Sequence, residues 1–377
     1  VHKARAFRRR IVTVPMSLDH PSWIEDPDFE LEYHVRHIAL PKPGDWRQLC
    51  IQTARLHARP LDTTRPLWEA YVIEGLDNVA GVPEGSFALV TKLHHAAIDG
   101  VSGAEMSKAI HDVSPEDTVE SPTNDWYPER FPSAMELLGR SAVTTAKKQF
   151  EFASLLARNA PTAWRFGRGL LNKELQLTTK VPRTRFNANV SPHRVFDGRS
   201  FSLDEIRAIK GRVDGATVND VVVSVCGGAL RHYLESKGEL PEESLVAMAP
   251  VSARPEEMRE AAGNLVSTMS LPVRSDIAEP LDRLRAVRVE SENAKKLTRT
   301  VGASLAAEAA HFLPSTTTGL MATAYARYGL AKRLPPIFNT VITNVPGPNF
   351  PLYSMGSRMV ANFGLGPVAH GVGLFQP

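Results

Sequence analysis

The sequence has few cysteines and no long apolar segment. Its 377 residues include two cysteines, Cys50 and Cys226, whose separation fits neither a disulfide framework nor a zinc-binding pattern. No apolar run reaches the roughly eighteen residues of a membrane-spanning helix, and the basic N-terminal residues lack the apolar core of a signal peptide. These absences argue for a reducing compartment and against a transmembrane channel or a disulfide-rich secreted domain.

Neither sign of charge predominates. There are 44 Lys and Arg against 41 Asp and Glu, a formal net charge of +3, and the two signs are interspersed along the chain. A nucleic acid is therefore not an expected partner. Hydrophobic residues make up 43% of the chain, which is ordinary for a globular protein. Because single cores rarely grow to this chain length, we expect two domains.

Alternating apolar residues predict three strands in the first hundred residues, at 29–36, 68–74 and 86–93. A helix is expected over 46–59, before Pro60, and the last two strands are expected to pair as a hairpin with a long loop.

Two pairs of histidines lie in or beside these predicted strands. His34 and His37 would face opposite sides of the first strand, so no metal site is expected there. The third strand is expected to continue through both histidines of the second pair, so that the ring of His95 shares a face with Leu93 and points away from His94.

The remainder of the chain alternates predicted helices and strands. A linker rich in Pro and Ser is expected at 114–125, followed by a helical stretch over 133–173 that resembles a basic amphipathic surface, with a solvated helix pair as the alternative. Thr217 and Asp220 resemble a capping box, although Glu or Gln is usual at its last position. Further helices are predicted at 101–112, 203–212, 281–297 and 303–312, and further strands at 245–249, 265–271, 338–343 and 357–362.

The most specific chemical pattern is His94-His95 followed by Asp99-Gly100. Histidine suits general-base removal of a hydroxyl proton, because its neutral ring is available near neutral pH. Gly-x-Ser-x-Gly is absent, and a thioester donor would need no protein nucleophile. Asp99 either hydrogen-bonds a histidine ring or fixes the turn through a distant arginine, and Gly100 lets the backbone bend into the next helix.

This segment resembles the His-His-x-x-x-Asp-Gly signature of the chloramphenicol-acetyltransferase-like superfamily, which includes condensation domains. Within that superfamily the chain is similar to the bacterial wax ester synthase/diacylglycerol acyltransferase family. The further stretches that carry the likeness are 60–69 with its Pro-Leu-Trp, Asn219-Asp220, 250–254, Gly263-Asn264 and 344–348.

The resemblance implies a mixed α/β (α+β) fold of two chloramphenicol-acetyltransferase-like lobes. Each lobe would hold a mixed sheet with flanking helices, and a tunnel would run between the lobes. The lobes are expected at 1–120 and 191–377, joined by a linker and crossover helices over 121–190. Both chain ends are expected to fall short of the family's usual length.

The resemblance also implies roles for individual residues. His95 would be the general base, with His94 and Asp99 beside it in the catalytic motif. Support for the motif is expected from Gly100, Asn219, Asp220 and Arg254. Substrate contacts are expected from Pro66, Leu67, Trp68, Asn264 and Asn344. Two alternatives stay open: Asn219 and Asp220 form only a helix N-terminus, and Trp68 is a core residue.

The implied reaction transfers a long-chain acyl group from acyl-CoA, a co-substrate, to diacylglycerol or a fatty alcohol. No bound cofactor and no metal are expected. The enzyme would work from the cytoplasm, associated peripherally with the inner membrane or with lipid droplets. The alternatives are a carrier-bound donor with another alcohol or amine acceptor, and a non-catalytic lipid-binding protein.

Overall fold

A computed structural model describes residues 3–97, 106–116, 130–144, 147, 154, 180–252, 266–301, 315–345, 347–348 and 350–377. Within these ranges two main sheets form, one in each half of the chain, and helices flank both. The mixed α/β character predicted from the sequence is confirmed.

The N-terminal segment forms an antiparallel ribbon of its own. Strand β1 (Arg9–Val12) pairs with β2 (Ser22–Glu25), and short 3-10 turns lie at Arg5–Arg8 and Pro15–Ser17. Phe7, in the first turn, is buried against the sheet that follows.

The first main sheet has the order β3 (Val35–Ala39), β4 (Trp68–Glu74) and β5 (Ala88–Leu93). Strands β3 and β4 run parallel because the helix Trp46–Ala58 crosses between them. The hairpin of β4 and β5 is antiparallel, as predicted. The helix begins at a capping box between Asp45 and Gln48, which satisfies two otherwise unpaired backbone donors.

Both faces of this sheet are covered. On one face Leu49 and Leu56 of the helix Trp46–Ala58 pack against Tyr71 and Ile73 of β4. On the other face Trp68 and Ala70 pack against Ala4, Phe7 and Met106, the last of which lies in a helical segment at 106–110. The central strand β4 is therefore buried on both faces, whereas β3 and β5 expose residues such as His37 and Thr91.

The strand predicted at 29–36 is wrong over most of its length. Residues Leu31–His34 form a single helical turn, and β3 begins only at Val35. Leu31 and Val35, which the period-two pattern places inside, are exposed. The helical turn accompanies a long-range contact that the local pattern does not encode, since the fully buried ring of His34 stacks on Trp68 at 4.6 Å.

The second main sheet has the order β11-β8-β6-β7. Its strands are β6 (Val246–Ser252), β7 (Val266–Pro272), β8 (Thr340–Ile342) and β11 (Phe375–Gln376). Strands β6, β8 and β11 are parallel, and β7 is antiparallel to β6. The strands predicted at 245–249, 265–271 and 338–343 are confirmed to within a few residues.

Two long helices, Val218–Glu235 and Pro280–Val301, cover this sheet. The Thr217–Asp220 capping box is confirmed: the Asp220 carboxylate accepts a hydrogen bond from the Thr217 backbone at 2.8 Å, and the Thr217 hydroxyl accepts one from the Asp220 backbone at 3.2 Å. The core of this half includes Leu230, Leu271 and Val287. Gly227 and Gly228 let the first helix approach the backbone of Val273 and the side chain of Arg283 closely.

Other elements are short. Helices span Leu203–Lys210, Ser315–Arg327 and Leu330–Arg333, and a 3-10 turn lies at Arg185–Asn187. The predicted strand at 357–362 is wrong beyond its first two residues, because β10 (Ser357–Arg358) ends there after pairing with β9 (Tyr353–Ser354) in a tight hairpin. Of the helix predicted over 133–173, the described part at 134–144 is helical. The helix predicted at 303–312 lies outside the described residues.

Segments of the C-terminal half also contact the N-terminal sheet and its helices. Trp46 donates to Asp197 at 2.8 Å and lies beside the ring of Phe363. On the other side of the sheet, Asp112 forms a β-bridge with Tyr353. No helix in the described ranges combines the length and the apolar character needed to cross a membrane.

Candidate functional site

The end of β5 delivers His94 and His95. Its last residue, Leu93, pairs with Trp68, the first residue of β4. The backbone of His94 then donates to the carbonyl oxygen of Leu67 at 3.0 Å. The Pro-Leu-Trp stretch and the double-histidine stretch, which lie far apart in sequence, are therefore hydrogen-bonded neighbours.

The prediction that His95 continues the pleat of the strand is wrong. Strand β5 ends at Leu93, and residues His95–Ala97 form a 3-10 turn. The turn forms because the Ala97 backbone donates to the His94 carbonyl at 2.8 Å. Both imidazole rings are exposed at the surface of the described residues.

The two rings differ in their hydrogen bonds. Nδ1 of His94 accepts a hydrogen bond from the backbone N–H of Ala96 at 3.1 Å. A neutral His94 therefore carries its proton on Nε2 and is a donor at that atom. Among the described residues, no hydrogen bond fixes the tautomer of His95 in this way.

A network of charged side chains lies directly beneath the end of β5. Lys92 and Glu69 are paired across the sheet, with 3.9 Å between Nζ and Oε2. The Glu69 carboxylate also accepts a hydrogen bond from Tyr71 at 2.8 Å, and the Tyr71 hydroxyl in turn accepts one from Arg36 at 2.9 Å. Burial lowers the pKa of Lys92, while Glu69 acts in the opposite direction.

The same network fastens the helix Trp46–Ala58 to the strand that carries the motif. The Lys92 amine donates to the carbonyl oxygens of Leu56 and Arg59, groups that the end of a helix leaves unpaired. The sequence reasoning missed this network. The sequence carries no signal for it, because the network depends on the hairpin register that places Glu69 opposite Lys92.

His57 is a further residue that the sequence reasoning missed. It lies at the end of the same helix, where its ring donates a hydrogen bond to the backbone of Gly366. Burial lowers the pKa of His57, and the positive charges of Lys92 and Arg194 act in the same direction. The ring thus joins the N-terminal half to the C-terminal half as a neutral group.

Pro66, Leu67 and Trp68 are all buried. The indole N–H of Trp68 donates to the carbonyl oxygen of Phe7 at 2.7 Å, so its polar atom is already satisfied. The three residues are packed inside the protein, and the carbonyl group of Leu67 also holds the backbone of His94. Direct contact between them and a substrate stays a prediction.

The remaining predicted residues lie in the second half. Asp220 is buried at the start of the helix Val218–Glu235, and its Oδ1 has no hydrogen-bond partner among the described residues. Asn219 is half-buried beside it. Asn344 is exposed just after β8, on the side of the sheet where the carboxyl ends of the parallel strands β6 and β8 lie. Four predicted residues lie outside the described residues: Asp99, Gly100, Arg254 and Asn264.

Neither the cysteines nor the acidic and histidine side chains form a metal site in the described ranges, because no group of three or more of them has suitable geometry. Cys50 and Cys226 are free thiols. Burial raises the pKa of each to about 11, which makes both poor nucleophiles at neutral pH.

Comparison with known proteins identifies a family over almost the whole chain. Residues 1–222 match the model of the wax ester synthase/diacylglycerol acyltransferase catalytic domain, and residues 262–376 match the C-terminal domain of that family. A probable diacylglycerol O-acyltransferase of Mycobacterium tuberculosis is 34% identical over 371 residues, which are 98% of this chain and 78% of the relative. Another from the same species, described as putative, is 35% identical over 375 residues, 98% of this chain and 79% of the relative.

Among solved structures, the wax ester synthase/diacylglycerol acyltransferase from Marinobacter aquaeolei VT8 superposes with a TM-score of 0.59 at 30% identity. The match covers 94% of this chain and 72% of that one.

Proposed function

The chain belongs to the wax ester synthase/diacylglycerol acyltransferase family and is an O-acyltransferase, and from this premise we propose that it esterifies diacylglycerol with the acyl group of acyl-CoA, using His95 as general base. The observation that carries the proposal is the difference between the two histidines. His94 holds its acceptor nitrogen in a hydrogen bond to the Ala96 backbone, whereas His95 has an exposed ring in the turn that follows.

In the proposed reaction, His95 removes the proton from the hydroxyl group of the acceptor. The alcohol oxygen attacks the thioester carbonyl, and the negative charge passes to the carbonyl oxygen of a tetrahedral intermediate. The carbon–sulfur bond then breaks, and coenzyme A leaves as the thiol after taking the proton back from His95. Positioned general-base catalysis of this kind contributes about 10²- to 10⁴-fold in rate.

His94 has a complementary role in the proposal. Because its neutral ring carries a proton on Nε2, it can donate a hydrogen bond to an oxygen that becomes negative in the transition state. Loss of one such donor costs about 10²- to 10³-fold in turnover.

The test compares His95→Ala, His94→Ala and the matched control His232→Ala, which removes an exposed histidine from the helix Val218–Glu235. Each protein is incubated with a long-chain acyl-CoA and diacylglycerol, and free thiol is measured together with the ester. We expect His95→Ala to abolish transfer, His94→Ala to be milder, and the control to match the wild type. Wild-type turnover in His95→Ala would refute the mechanism.

Acceptor and donor require a separate experiment. The enzyme is offered diacylglycerol or a fatty alcohol, each with acyl-CoA or an acyl carrier protein, and the product is identified by its mass. Triacylglycerol from acyl-CoA supports the proposal. A wax ester, or a product formed only from the carrier-bound donor, would redirect it to the alternative acyltransferases, and binding of lipid without thiol release would indicate a non-catalytic homologue.

We also propose that the enzyme works at a lipid surface, with membranes or lipid droplets as the sites of action. Residues 309–377 contain no Asp or Glu, but they include Arg327, Lys332, Arg333 and Arg358. Leu320 and Met321 are exposed on the helix Ser315–Arg327. Exposed apolar side chains on a helix that ends at Arg327, with Lys332 and Arg333 soon after it, suit an interface with anionic headgroups. Asp19 is the acidic residue that lies beside Leu320 among the described residues.

Co-sedimentation with vesicles tests this surface. We expect binding to vesicles that contain phosphatidylglycerol, weaker binding to phosphatidylcholine alone, and a loss of binding when Leu320 and Met321 are both changed to Gln. Val195→Gln is the control, since Val195 is a fully exposed apolar residue outside residues 309–377. Equal binding by both variants would exclude this surface.

A further inference from the structure

His34 is fully buried, and no metal-binding group among the described residues accounts for a histidine at this position. Its ring stacks between Phe29 and Trp68, with centroid distances of 5.3 and 4.6 Å. Tyr33 contacts it edge-on at 5.2 Å. An aromatic residue without nitrogen would fill this position equally well by shape alone.

The hydrogen bonds of the ring define its chemical state. Nδ1 lies 2.7 Å from the carbonyl oxygen of Trp68, and since a carbonyl only accepts, Nδ1 carries a proton and donates. Nε2 is buried with no hydrogen-bond partner among the described residues. A proton added to Nε2 would be an unsatisfied buried donor, so the ring is neutral in the folded protein.

The donated hydrogen bond lies at the beginning of the ladder between β3 and β4. Strand β3 pairs with β4 from Val35 and Ala70 onward, and His34, one residue earlier, has a helical backbone that cannot continue the ladder. The imidazole N–H replaces the missing backbone donor at the first residue of β4. On the opposite side of the same strand end, Leu67 accepts the hydrogen bond from the backbone of His94.

We propose that His34 is a positioning residue for the reaction: its ring holds the start of β4 at the Trp68 carbonyl, and this strand end in turn fixes the backbone of His94 and His95. The proposal rests on the proposed function of the two motif histidines. His34 itself has no contact with them and takes no part in proton transfer.

Acidification is expected to destabilise the buried position of this ring. Burial lowers the pKa of His34, and the nearby Arg65 acts in the same direction. The hydrogen bond to Trp68 and the carboxylates of Glu69 and Asp26 oppose the shift. The ring therefore stays neutral at neutral pH, and its protonation at acid pH would place an unsatisfied donor in the core.

Three variants separate the hydrogen bond from the packing. His34→Phe keeps a ring but removes the donor, His34→Asn keeps an N–H at the position of Nδ1, and Phe29→Leu removes one stacking partner while leaving the hydrogen bond. Turnover is measured well below the melting temperature, with unfolding measured separately.

We expect kcat of His34→Phe to fall about 10- to 100-fold, because small misplacements of catalytic groups have effects of this size, and we expect KM for acyl-CoA to be nearly unchanged. We expect His34→Asn to recover most of the lost kcat. Because Asn does not titrate, the kcat of this variant should decline less at acid pH than that of the wild type. Phe29→Leu should lower stability and leave kcat near wild type.

The position of His94 is read independently of turnover from the ¹⁵N signals of its ring, assigned by their loss in His94→Ala. We expect these signals to move in His34→Phe and to return toward wild type in His34→Asn. Unchanged signals and unchanged kcat in His34→Phe would overturn the positioning role, as would an equal loss of kcat in Phe29→Leu. If the signals move while His95→Ala remains fully active, the positioning role stands and the proposed function fails.

Discussion

Replacing Gly227 by alanine should destabilise the second half of the chain. A Cβ at this position would lie 3.2 Å from the carbonyl carbon and 3.3 Å from Cβ of Val273, and would overlap the carbonyl oxygen. Val273 cannot easily move away, because its backbone N–H is bonded to the Leu245 carbonyl at 2.9 Å. The helix Val218–Glu235 would therefore have to shift against its own core.

The magnitude follows from two opposing effects. Overfilling a well-packed core costs about 1–3 kcal/mol, and the rigid backbone neighbour places Gly227→Ala toward the upper part of that range. Alanine recovers about 1 kcal/mol through its higher helix propensity. We expect a net loss of about 2 kcal/mol in the free energy of unfolding, measured by urea titration with far-ultraviolet circular dichroism.

Gly139→Ala is the matched control. Gly139 lies in the helical segment at 134–144, is exposed, and would place its added methyl group in open space. This variant should gain up to about 1 kcal/mol. If Gly227→Ala were as stable as Gly139→Ala, the close approach between helix and strand would be refuted.

Three further predictions follow from buried polar groups. Asn339→Leu should lower the free energy of unfolding by about 2–5 kcal/mol. The reason is that the Asn339 side chain accepts a hydrogen bond from the Val246 backbone at 2.9 Å and donates to two further buried oxygens. A loss below about 1 kcal/mol would contradict this network. Burial raises the pKa of Cys50 and Cys226 to about 11, so dithiobisnitrobenzoate should label the thiols slowly in the folded protein and rapidly in urea, where two thiols should react. Rapid labelling of the folded protein would argue against their burial. Burial lowers the pKa of His57 in the folded protein, so the unfolded chain takes up the proton first as the pH falls. The stability that the neutral ring contributes is therefore fully present above about pH 6.5 and is lost at lower pH. The acid decline in urea midpoint should be smaller in His57→Asn, and an identical decline would exclude this contribution.

Local sequence patterns predicted those elements whose residues obey one dominant constraint. The alternation over 68–74 matches β4 because its two faces are covered by different clusters. The capping box at Thr217 formed with Asp220 in place of Glu or Gln, since a shorter carboxylate still reaches the backbone donor at 2.8 Å. In both places backbone hydrogen bonds and side-chain burial favour the same conformation.

Prediction failed where a distant contact decided the local conformation. Nothing near His34 in the sequence shows that Trp68, on another strand, will bond and stack with its ring. The charged network of Glu69 and Lys92 likewise depends on the register of the hairpin, which a long loop leaves unspecified. Such contacts require the fold to be known first.

The proposal that His94 and His95 have different roles rests on hydrogen bonding and not on strand geometry. The pleat argument requires both residues to lie on β5, but the strand ends at Leu93 and a 3-10 turn follows. The two rings differ in hydrogen bonding, because the backbone N–H of Ala96 donates to Nδ1 of His94. A base at His94 would have to accept a proton at Nε2, which already carries one in this tautomer. Moving that proton to Nδ1 would break the hydrogen bond from the Ala96 backbone. The same turn that ends the strand therefore disfavours the first histidine as a base and makes the second the better candidate.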